Sequence, residues 1–93
     1  MDEFEWDARR AGASRRRHGV DFADAVLVFQ DEQALTVAGR ITAVDEPRFL
    51  SLGRDSLGRV IVVAYTRRGS RVRLLSARRA TPAERARYRR RDG

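Results

Sequence analysis

Six consecutive apolar residues, Val60-Ile61-Val62-Val63-Ala64-Tyr65, constrain this chain more than any other stretch. A continuous run of β-formers predicts a central strand covered on both faces, so the rest of the chain must supply that cover. Turn formers bound the run on each side. Before it, Asp55-Ser56-Leu57-Gly58 reads as a hairpin connection with glycine at its end. Ahead of that turn Phe49–Arg54 alternates, with Leu50 and Leu52 on one face and Phe49 and Ser51 on the other. After the run, Arg67-Arg68-Gly69-Ser70 makes the next turn. Val72, Leu74 and Ser76 then alternate with Arg71, Arg73 and Leu75, a strand that offers arginines to one face. Leu35–Val37, running into Gly39-Arg40-Ile41, is a weaker first strand.

Helices flank this block. Phe4-Glu5-Trp6 alternates apolar and acidic, as a short strand or extended lead-in would. Asp7 is placed to cap a helix over residues 8–17, and His18-Gly19 ends it with glycine at the left-handed position. Asp21 caps a second helix from Phe22 to about Gln30, apolar nearly all round and therefore expected to be deeply packed. At the other end, Thr81-Pro82-Ala83-Glu84 is a capping box with proline at the first helical position. The helix that follows, residues 82 to about 91, carries Arg85, Arg87, Arg89, Arg90 and Arg91, with Tyr88 as its one large apolar residue. Such a helix is expected to be weakly docked or completed by a partner. The layout is α+β: two N-terminal helices, an antiparallel sheet of three to four strands and a C-terminal helix. At 93 residues it is a single domain, 1–93.

Composition narrows the chemistry. Of the 33 charged residues 20 are basic, and all 20 are arginine. Without lysine there is no P-loop, no Schiff base and no metal nuclease that pairs carboxylates with a catalytic lysine. Without cysteine there is no disulfide, thiolate metal site or thiol nucleophile. The lone His18 has no histidine or cysteine partner, and Asp31-Glu32 and Asp45-Glu46 read as ordinary loop acids, so no metal site and no cofactor is expected. No apolar run approaches the ~20 residues that span a bilayer. The start is acidic, unlike a signal peptide. The expectation is a soluble, cytoplasmic protein with no membrane partner.

The net charge of +7 is unevenly spread. Residues 1–8 carry four acids and no base, residues 9–17 five arginines and no acid, and residues 67–93 eleven arginines against Glu84 and Asp92. If the fold joins the two arginine-rich segments, they make one surface for a polyanion. The bland alternative is a solvated, solubilising face.

Phe4-Glu5-Trp6-Asp7, Arg17-His18-Gly19-Val20 and Phe22 with Ala25 and Phe29 resemble the first half of the BrnT toxin family. Its second half is resembled by Glu46 with Arg48, Gly53-Arg54, Val63 with Tyr65-Thr66, Arg73, Ser76-Ala77-Arg78, Ala80, and Glu84-Arg85 with Tyr88. The order of these residues along the chain is what makes the resemblance specific. Ser14 stands where the family often has asparagine and Ala8 where it has proline. Arg40-Ile41-Thr42-Ala43 replaces a stretch with a histidine, and Pro47 interrupts the usual Glu-Glu-Arg.

The resemblance implies a RelE-like fold and a ribonuclease toxin of a type II toxin–antitoxin pair. It also implies an antitoxin of the BrnA kind with a ribbon-helix-helix DNA-binding part, in a complex with two copies of each protein. RNA cleavage without metal needs a base for the 2′-hydroxyl, charge stabilisation on the phosphorane and protonation of the leaving 5′-oxygen. Either His18 works with a carboxylate, Glu46, while arginines hold the phosphate, or arginines and tyrosine supply catalysis electrostatically. Arg54, Arg73 and Arg78 are the candidate phosphate contacts, because the planar guanidinium fork fits phosphate oxygens. Arg16, Arg17, Arg79, Arg85 and Tyr88 are the candidate RNA-binding residues. Each has a structural rival: His18 as a helix-end cap, Glu46 as a partner of Arg48, Arg78 as a partner of Glu84, Tyr88 as a pin for the last helix, and Trp6 and Tyr65 as core. A binding module without catalysis, or an inactive chain that only engages an antitoxin, is the alternative function.

Overall fold

The computed structural model describes residues 2–38 and 48–90. Five strands make one sheet: β1 (Glu3–Trp6), β2 (Leu35–Ala38), β3 (Arg48–Arg54), β4 (Val60–Arg68) and β5 (Arg71–Arg79), in the order β1-β5-β4-β3-β2. The apolar run lies in β4, central as its composition requires, with antiparallel β3 and β5 on either side. The sheet differs from the antiparallel three- to four-stranded one expected. Glu3–Trp6 pairs with Arg71–Leu74 as a parallel strand, Phe4 opposite Val72 and Trp6 opposite Leu74, so the sheet is mixed.

One face is packed by the N-terminal helices. Helix α1 (Ala8–His18) starts with Asp7 accepting from the Arg9 N–H at 2.8 Å. It ends at Gly19, whose φ of 69° is the left-handed value that glycine adopts without strain. Asp21 stands at the start of α2 (Phe22–Ala25) but makes no side-chain cap. The expected single helix to Gln30 is instead four α residues followed by a 3₁₀ turn, Val26–Gln30. Phe22, Ala25 and Val28, three positions apart, are buried, while Leu27 is 37% exposed, so the segment is not packed all round. With Val20, Ile61, Val63, Tyr65, Val72, Leu74 and Ala77 they form the main core.

A bulge in β5 alters the alternation read from the sequence. Leu74 opposes Tyr65 but Ser76 opposes Ala64, so Leu75 is the extra residue. Ser76, expected on the inward face, is exposed, and Ala77 takes the buried position. The opposite face holds a smaller cluster of Leu52, Val62, Ala80 and Tyr88, on which α3 (Pro82–Arg90) docks. The capping box forms reciprocally: the Thr81 N–H donates to Glu84 Oε1 at 2.8 Å, and the Glu84 N–H to Thr81 Oγ1 at 3.2 Å.

Candidate functional site

Among the described residues α3 covers only part of its sheet face. Beyond it, directly opposed positions place Arg48, Thr66, Arg73 and Glu5 in one row across β3, β4, β5 and β1. Cross-strand partners share a face, so these side chains rise together. Glu5, Thr66, Arg68, Arg71 and Arg73 line a hollow of about 270 Å³. Arg73 Nη1 donates to Glu5 Oε2 at 2.8 Å, and Arg71 Nε lies 3.5 Å from Glu5 Oε1. A carboxylate is therefore set between two guanidiniums on an open sheet face.

A second cationic hollow, about 380 Å³, lies at the other end of the strands, lined by Arg54, Gly58, Arg59, Val60, Arg79, Arg85 and Arg89. Three of its arginines are tied in place. Arg54 Nη1 donates to the Gly58 carbonyl at 2.9 Å, and its guanidinium lies 5.4 Å from the centre of the Tyr88 ring, a cation–π distance. Arg85 Nη1 donates to the Ala80 carbonyl at 2.9 Å. Arg59 is consumed by structure, with Nε and Nη2 on the buried Asp55 at 2.9 and 2.7 Å and Nη1 on the Gly19 carbonyl at 3.1 Å.

A third hollow, at the β5 bulge, gathers Arg10, Ala13, Ser14, Arg17, His18, Leu75 and Ser76.

The sequence-predicted residues are thus divided among these places. Arg73 belongs to the first hollow; Arg54, Arg79 and Arg85 come together in the second; Arg17 and His18 share the third, with Arg16 exposed nearby on α1. Glu46 lies outside the described residues. Arg78 points its guanidinium at Glu84, with bonds of 2.8 and 3.0 Å. Those bonds lower the Glu84 carboxyl to a pKa of about 2 and raise that of Arg78. Tyr88 is 3% exposed and donates to Asp31 Oδ2 at 2.6 Å, so its ring is committed to the fold. Burial and the Asp31 carboxylate both push its hydroxyl pKa up. Trp6, 38% exposed, packs edge-on against Phe22, and Tyr65 is buried with its hydroxyl on Ser51 Oγ at 3.0 Å.

Asp31, expected to be an ordinary loop acid, accepts from Tyr88 and from the Arg54 and Gln33 N–H groups. Burial works against its charge, but these three bonds hold its pKa below the usual carboxylate range. Glu5, Thr66, Arg68 and Arg71 in the first hollow and Arg59 and Arg89 in the second were not among the candidate catalytic or RNA-binding residues read from sequence. Only the acid–apolar alternation of Phe4-Glu5-Trp6 hinted that Glu5 stands on a strand. Among the described residues no three histidines or carboxylates stand together as a metal site would require, and no helix is long and apolar enough to cross a membrane.

The family model described as the ribonuclease toxin, BrnT, of a type II toxin-antitoxin system matches residues 6–84. The chain belongs to the BrnT family. The match takes in Arg48, Thr66 and Arg73 and stops short of Glu5, Arg85, Tyr88 and Arg89. Among solved structures, the crystal structure of the Brucella abortus ribonuclease toxin, BrnT, is similar in fold, with a TM-score of 0.64 at 23% identity. The likeness covers 87% of this chain and 99% of that one. No curated protein matches by sequence. A BrnT-family chain is a ribonuclease toxin of a type II pair, and such a toxin has an antitoxin partner.

Proposed function

We propose that this BrnT-family chain binds RNA on its arginine-bearing sheet face and cleaves it there by metal-independent transesterification. The observation that carries the reading is the row Arg48, Thr66, Arg73 and Glu5, in which one carboxylate lies among guanidiniums. In the reaction a base takes the 2′-hydroxyl proton, the freed oxygen attacks the adjacent phosphorus, and the 5′-oxygen leaves with a proton. Arg73 carries the charge that builds on the phosphorane, the part a divalent cation plays in metal-dependent nucleases, and Arg48, across Thr66 in the same row, holds the neighbouring strand of RNA. Glu5 in the row, and Glu46 two positions before Arg48, are the two candidate bases. His18 with Arg16 and Arg17 extends the RNA surface along α1, and Arg54, Arg79 and Arg85 extend it past α3. Arg78 is held by Glu84 and acts by keeping α3 in place. We read the fold as RelE-like, the consequence of cleavage as arrested translation in the cytoplasm, and the neutralising partner as a BrnA-like antitoxin with a ribbon-helix-helix part, two copies of each in the complex.

Labelled RNA incubated with and without EDTA tests this. The expected products end in 2′,3′-cyclic or 3′-phosphate in both, and loss of cutting in EDTA or 3′-hydroxyl ends would contradict it. Arg73→Ala lowers cleavage at least ten-fold, about 1.4 kcal/mol of transition-state stabilisation. Cleavage falls, with binding of uncleavable 2′-O-methyl RNA retained, in whichever of Glu5→Gln and Glu46→Gln removes the base.

A further inference from the structure

The second hollow is not needed for the chemistry just described. Arg48 and Arg54 stand at the two ends of β3, six residues apart, so the hollow lies about 20 Å from the row at ~3.4 Å per residue. Among the described residues no acid lines it, and three of its guanidiniums are fixed by Gly58, Ala80, Asp55 and the Tyr88 ring. Arg79 and Arg89 make no side-chain hydrogen bond or ion pair to the described residues and point their charge at the same space. Like charges brought this close repel unless an anion lies between them. Fixed forks beside two that the other described residues leave unengaged suit the oxygens of a phosphodiester.

We infer that this hollow is a second phosphate site, which takes a backbone phosphate of the RNA strand several nucleotides from the cleaved bond. It rests on the RNA reading above and deepens it. Substrate reaching from row to hollow must pass α3, which presents Arg87 on one flank and Arg85 and Arg89 on the other. The site therefore sets how long an RNA must be to engage the protein fully, a span within the ~4–16 nucleotides typical of single-strand sites.

The shared chemistry, several phosphate charges close together, also belongs to free polyphosphate, so the test has two arms. Binding of 2′-O-methyl RNAs of increasing length, which cannot be cleaved, is compared for the wild type and an Arg79→Ala/Arg89→Ala double variant by fluorescence anisotropy over a salt series. The wild type is expected to gain affinity at a threshold length. The variant should lose that gain, roughly ten-fold, with its salt slope lowered by about 0.7 per arginine removed, while the shortest oligonucleotides bind both proteins alike. Equal loss at every length would overturn the site and leave a diffuse basic face. In the second arm, tripolyphosphate is titrated alone. Tight binding abolished by the double variant, with the length threshold for RNA unchanged, would overturn the RNA assignment. Cleavage of unmodified RNA is followed in parallel: no cutting alongside an intact length threshold sinks the catalytic reading and leaves the phosphate site standing.

Discussion

Glu84 does two jobs with one carboxylate, and they can be separated. It completes the capping box with Thr81 and it pairs with Arg78. The pairing depends most on charge, although the Thr81 bonds also favour the ionised carboxylate. The Arg78 bond, with a smaller contribution from the Thr81 bonds, moves its pKa from the ordinary glutamate value of 4.5 to about 2. The folded value lies below the unfolded one, so the stabilisation is fully present above about 4.5 and is lost as pH falls through about 2. Both side chains are partly in solvent, 39% for Arg78 and 30% for Glu84, and screening reduces the effect to on the order of 1 kcal/mol. Glu84→Gln keeps the reciprocal cap, which glutamine also makes, but not the ion pair. Urea midpoints should therefore differ most between wild type and variant at pH 6, the gap narrowing below about pH 4.5 and closing only as pH falls past about 2. A gap that stays constant with pH would show that charge is not the cause. The capping box was legible because its partners lie three residues apart. Asp31 was not, because its bonds reach Arg54 and Tyr88 across 23 and 57 residues, and neither turn nor periodicity signals carry such pairs.

The same division holds for elements. The ends of α1, the start of α3 and the strand character of β3, β4 and β5 were readable because caps, turns and period-two alternation are local. The parallel pairing of β1 with β5 was not, since its partners lie near opposite ends of the chain. The bulge at Leu75 was hidden too, because Leu75 and Ala77 are both apolar and either register is plausible on paper. One element contact depends on a single hydroxyl. Pairing with β1 reaches only to Leu74, so the edge of β5 beyond it has no strand partner among the described residues. There α1 takes over: buried Ser14 Oγ lies 2.7 Å from the Ala77 carbonyl and 3.2 Å from that of Val20. Ser14→Ala leaves buried carbonyl oxygen without its donor and should cost about 1–2 kcal/mol. That would read as a lower urea midpoint with the slope unchanged. An unshifted midpoint would mean that water replaces the hydroxyl and that α1 is held by packing alone.

Across the whole molecule, the charge segregation of the sequence is partly undone by the fold. The acidic first segment lies on the arginine-rich late strands: Asp2 meets Arg67 at 3.0 Å, and Glu5 meets Arg73 and Arg71. Among the described residues the first segment does not reach the α3 hollow or most of α1, where only Arg15 meets Asp21 at 3.7 Å and Arg59 meets Asp55 at 2.7 Å, so the basic surface is patchier than the +7 total implies. The acids on β1 thus restrain the row electrostatically, and Glu5 is at the same time a candidate base. Those two roles predict opposite effects of one substitution. Glu5→Gln frees Arg73 and Arg71 for phosphate, so 2′-O-methyl RNA should bind several-fold more tightly, with a salt slope steeper by about 0.7 per arginine released. If Glu5 is the base, cleavage of ordinary RNA by the same protein should nevertheless fall. A solubilising face would show neither change, and a variant that merely unfolds would lose both binding and cleavage. Tighter binding with undiminished cleavage would assign the base to Glu46 and leave Glu5 as a counter-ion that limits how firmly the site holds its substrate.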